Sequence, residues 1–107
     1  MAWIVLFAAG LLEIVWAYFM KASEGFSKPV PTVITLVAMA ASFALLAWSM
    51  KTLPLGTAYT IWTGIGAVGA FVVGAAVLGE AVTLWRVVAA VLIVSGLILM
   101  KLTSPAH

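Results

Sequence analysis

Four long apolar runs alternate with three short polar breaks along this chain. The runs cover about residues 2–20, 30–50, 55–78 and 84–102. Each is near the roughly 20 residues that cross about 30 Å of hydrocarbon as a helix. In lipid, backbone N–H and C=O groups must pair within their own segment, which selects helices over isolated strands. The first break, Lys21 to Pro29, holds Gly25, Pro29 and the charges of Lys21, Glu24 and Lys28. Lys51 with Pro54 marks the second break and Gly79-Glu80 the third. The pattern predicts an all-α membrane protein: one transmembrane domain of four helices over residues 1–107.

Composition agrees. Of 107 residues, 66% are hydrophobic and 7% charged, against roughly 25% charged in a soluble domain. Mean hydropathy is +1.31, so so few charges are left to cover a water-facing surface. The net charge of +2 comes from five basic residues at segment ends. They read as membrane-flank anchors, not as the clustered basic face that nucleic acid requires. Without cysteine there is no disulfide framework and no thiolate metal site, and no cofactor or metal is expected. The first run lacks a basic leader and has Glu13 in its middle, so it reads as a retained helix and not a cleaved signal.

Charge by side bears on assembly. Four spans put both chain ends, Lys51 and Lys101 on one face, and Lys21, Lys28 and Arg86 on the other. Two lysines plus the α-amine against three basic side chains is nearly balanced, so the charge asymmetry that normally sets orientation is almost absent. The expectation is insertion in both orientations. Carriers commonly need two inverted halves, and no internal repeat supplies them here. An antiparallel, dual-topology homodimer would.

The sharpest chemical signal is Glu13. At about 1.5 Å per residue it lies about 16 Å from the start of its run and about 10 Å from the end. An ionised group there costs at least about 2.5–3.5 kcal/mol and marks function by default. Glu24 and Glu80 sit in the breaks, where water reaches them. No Lys, Arg or His at membrane depth neutralises Glu13, which leaves it to a mobile partner: a proton or a cationic substrate. Each excludes the other from the same oxygens, which is the physical core of an antiporter. The alternative is a permanently protonated packing residue.

Helical spacing groups the neighbours. Gly10, Glu13 and Ala17 share a face, with Trp16 a short rotation away. On the second run Met39, Ser42, Phe43 and Leu46 share a face, and Ser42 is its central polar group. Such a serine either bonds back to its own backbone or donates to Glu13. On the third, Tyr59, Trp62 and Gly66 align, giving an O–H and an indole N–H that need acceptors. Gly64, Gly66 and Gly69 allow close approach and a kink. On the fourth, Ala89 and Gly96 share a face, as a helix–helix seam does. The lone histidine, His107, is given no role. No nucleophile triad or phosphate-binding loop is present, so an enzyme is not expected.

With Glu13 in the first helix, and with Trp62 and the run Trp62-Thr63-Gly64-Ile65-Gly66-Ala67-Val68-Gly69 in the third, the chain resembles the small multidrug resistance family of proton-coupled exporters. Gly10, Trp16, Ser42, Tyr59 and Lys101 resemble its guanidinium exporter subtype. The resemblance implies an antiparallel homodimer, multi-pass in the cell inner or plasma membrane, in which Glu13 of each subunit binds substrate or protons. It implies that Ser42 and Trp62 hydrogen-bond that carboxylate. Tyr59 would set site access, Trp16 and Gly10 would shape the pocket, and Met39 and Phe43 would line a hydrophobic gap between helices. Gly64 and Gly66 would form the helix-three kink, and Ala89 with Gly96 the dimer seam. Alanine stands at the seam's first position, where multidrug members often have glycine.

The leading expectation is proton-coupled export of guanidinium or guanidinyl cations. Export of quaternary ammonium and other lipophilic cations is the alternative within transport. A non-transporting structural or regulatory membrane subunit is the alternative outside it.

Overall fold

The computed structural model describes residues 1–103; His107 lies outside the described residues. Four helices follow one another: α1 (Ala2–Ala22), α2 (Pro29–Ser49), α3 (Leu55–Ala76) and α4 (Leu84–Thr103). All four are long and apolar enough to cross a membrane, and the described residues contain no strand.

Local chemistry sets the helix ends. Beyond α1, the Ser23 hydroxyl donates to the Met20 carbonyl (2.7 Å) and accepts the Phe26 N–H (3.0 Å). Glu24, Gly25 and Phe26 all take positive φ there and reverse the chain. Pro29 begins α2, where a missing N–H costs no hydrogen bond. Pro54, extended at φ −60 and ψ 150, precedes α3. That helix stops at Ala76, two residues before the apolar run does. Gly79 turns the chain at φ +69, and the Glu80 N–H reaches the Gly74 carbonyl at 2.9 Å.

α1 is the hub. It packs along α2 and α3, while α4 packs its backbone against α3 alone. The buried cluster comprises Leu6, Ala9, Leu46, Leu53, Ala58, Ile61 and Trp62, from α1, α2, α3 and the α2–α3 connection. Lipid tails are as apolar as leucine, so close packing of small residues holds such helices together in place of the hydrophobic effect. Between α1 and α3 the fit is interlocking: Ile65 fills the space a side chain at Gly10 would need, and Ile14 fills the space beside Gly69. Both pairs advance in the same direction, so the two helices are parallel. Leu97 of α4 seats likewise against Gly64.

α4 itself buries no residue. Its charged ends are held by aromatic faces, Arg86 lying 5.8 Å from the Phe71 ring centre and Lys101 4.9 Å from that of Trp3.

Candidate cation-binding site

Glu13 sits on α1 one turn after Ala9 and Gly10. Its carboxyl group lies against Gly66 of α3, in space that any side chain at position 66 would occupy. Oε1 is buried and accepts no hydrogen bond from the described residues. In the apolar interior an unpaired acceptor is costly. An N–H donor or a proton is the chemistry that satisfies such an oxygen.

Ser42 and Trp62 are buried beside it, but neither donates to the carboxylate. The Ser42 hydroxyl donates to the Ala9 carbonyl at 2.7 Å, and the Trp62 indole N–H donates to Ser42 Oγ at 3.0 Å. The expected direct bonds to Glu13 are therefore replaced by a relay across three helices. The reason is donor count: a serine hydroxyl and an indole have one hydrogen each, and both are engaged. Ser42 does not bond back to its own helix either. In the helical pattern, the Ala9 carbonyl is also the acceptor of Glu13's own N–H. The relay thus ties down the turn of α1 that carries Glu13 without engaging its carboxyl group.

An aromatic wall flanks the relay. The Trp16 and Phe43 rings meet edge to face at 6.3 Å, Phe43 and Trp62 at 5.7 Å, and Tyr59 tilts over Trp62 at 5.6 Å. Among the described residues Trp16 Nε1 is the other buried side-chain polar atom without a partner, one turn from Glu13. Phe43 and Tyr59 keep 47% and 52% of their surface exposed, so the wall opens outward from the chain.

Glu13, Gly10, Trp16, Ser42, Phe43, Tyr59, Trp62 and Gly66 therefore gather on the α1–α2–α3 side. Met39 lies half-buried one turn from Ser42 on α2. Gly64 faces α4, and α3 is helical without interruption through Gly64 and Gly66. Ala89 and Gly96 stand apart, exposed on α4, and nothing lies within 4 Å of where a Gly96 side chain would begin. Sequence reasoning missed Ala9. Its role rests on a backbone carbonyl, and the available signal was a small residue one turn before the buried acid. No group of three His, Cys, Asp or Glu side chains able to hold a metal occurs among the described residues.

A multi-pass membrane protein built around one intramembrane carboxylate is the class that this fold and site define. The chain belongs to the small multidrug resistance family: the family model described as Small Multidrug Resistance protein matches residues 1–93. It is 57% identical to a protein of Yersinia pestis named guanidinium exporter, over 97% of this chain and 100% of that one. Guanidinium exporters of Salmonella typhimurium and of Escherichia coli K12 are each 55% identical, over 97% of this chain and 99% of theirs.

Proposed function

We propose that this chain exports guanidinium or guanidinyl cations in exchange for protons, by alternating access around Glu13 in an antiparallel, dual-topology homodimer of the cell membrane. It acts as a carrier and not as an enzyme. The observation that carries the reading is the buried Glu13 Oε1, pressed against Gly66 and accepting no hydrogen bond among the described residues. The names of relatives similar over almost the whole chain support the substrate class.

Guanidinium suits such an oxygen. It is planar, charged at neutral pH, and presents paired N–H donors that match a carboxylate. A proton bound to the same carboxyl removes the charge that holds the cation, so the two occupy the site in turn. The Trp62–Ser42–Ala9 relay positions the α1 turn, Trp16 and Gly10 shape the pocket, and Tyr59 governs entry. Met39 and Phe43 line the gap through which bulkier substituents extend. Gly64 and Gly66 give α3 the pliancy for exchange between the two facing states. The second copy meets this one along Ala89 and Gly96.

The exposed faces of Phe43 and Tyr59 favour a second reading, export of quaternary ammonium and other lipophilic cations, which stack on aromatic rings. Solid-supported-membrane recordings on purified protein separate the two. The guanidinium reading expects currents with guanidinium and weak ones with tetra-alkylammonium. Currents with tetra-alkylammonium alone would transfer the assignment.

A further inference from the structure

A groove of about 520 Å³ runs between α1, α3 and α4 on the side away from the aromatic wall. Trp3, Phe7, Ile65, Leu97 and Ile98 line it, and its one charged lining residue is Lys101, whose ammonium lies over Trp3. We infer that this groove holds an anionic phospholipid, with an acyl chain along the apolar floor and the phosphate at Lys101.

Three observations favour that occupant. Lys101 stands at the end of a membrane-spanning helix beside a tryptophan, the depth at which headgroups and aromatic anchors meet. Four spans put the amino end of α1, the α2–α3 connection and the carboxyl end of α4 on one face. Within one chain Lys51 and Lys101 are the basic side chains of that face, while Glu24 and Glu80 lie in the other two connections. Among the described residues Lys101 makes no ion pair; the one they form joins Lys28 and Glu24.

The groove also stays clear of the dimer contact proposed above. Ile98 lies nine positions from Ala89, about half a turn around α4 at 3.6 residues per turn. A seam along Ala89 and Gly96 then leaves the groove facing lipid. A basic residue near a membrane surface favours anionic lipid by about 1 kcal/mol, or about fivefold.

The test is native mass spectrometry of the detergent-solubilised dimer after incubation with equal amounts of phosphatidylglycerol and phosphatidylcholine. The unmodified protein should retain phosphatidylglycerol about fivefold over phosphatidylcholine. Lys101→Gln should abolish the preference and Lys101→Arg should keep it. Lys51→Gln, on the same face but off the groove, should also keep it. Ile98→Trp, which fills the groove and leaves Lys101 intact, should lower retention of both lipids. Equal retention by the unmodified protein would overturn the inference. So would a preference that survives Lys101→Gln, one lost in Lys51→Gln, or displacement of the lipid by inorganic phosphate.

Discussion

The face where α1 meets α2 and α3 and the outer face of α4 are built on opposite plans. The first interlocks glycines with isoleucines, buries a three-helix hydrogen-bond relay and holds a carboxyl against a glycine backbone. The second buries nothing, and its Gly96 has open space where a side chain would begin. Small residues in membrane helices exist to let another backbone approach. On α1 and α3 that approach occurs within the chain; on α4 no described residue comes within 4 Å of where a Gly96 side chain would begin. On the reading proposed above, each copy carries its own Glu13 and relay, and a second copy covers α4.

Substitutions on the two faces should separate these roles. Glu13→Gln has the largest expected effect: guanidinium uptake into proteoliposomes falls to the level of empty vesicles, with the protein still folded and dimeric. Uptake that persists would mean that the intramembrane acid is a packing residue. On the other face, Gly96→Leu has nothing to strike within its own chain. It should weaken dimerisation about thirtyfold by Förster transfer between labelled subunits, equivalent to about 2 kcal/mol of overpacking. Unchanged transfer would remove α4 from the interface.

Gly66→Ala directs a methyl group at the Glu13 carboxyl. Guanidinium affinity measured by tryptophan fluorescence should fall about tenfold, equivalent to about 1.4 kcal/mol, while dimerisation holds. Ser42→Ala has the smallest effect and the most specific signature. It leaves the Trp62 N–H unpaired, so unfolding in detergent should ease by about 1 kcal/mol, and adding Trp62→Phe should cost less than the two changes separately. Affinity should fall less than threefold, a free-energy loss under about 0.7 kcal/mol. A larger loss of affinity than of stability would mean that Ser42 serves the carboxylate directly.

Much of this was legible in the sequence. The four helices follow from run length, because a bilayer imposes a length on every span. Glu13 stood out because no basic residue shares its depth. Ser42 and Trp62 were recognisable as polar groups needing partners, but their partners were not. Helical periodicity tells which face a residue is on, whereas the choice between a carboxylate and the Ala9 carbonyl depends on where two helices cross. Spacing marks the glycines of α3 as points of flexibility and close approach. The structure gives particular contacts to Gly64, Gly66 and Gly69, one with α4 and two with α1, which spacing alone does not distinguish.

On the proposed function, a proton and a cation occupy the Glu13 carboxyl by turns. Proton release on guanidinium addition, followed in weakly buffered detergent solution over a range of pH, tests it most directly. The unmodified protein should release protons and bind guanidinium more weakly as the solution is acidified, and Glu13→Gln should show neither effect. Affinity indifferent to pH, with no protons released, would contradict it.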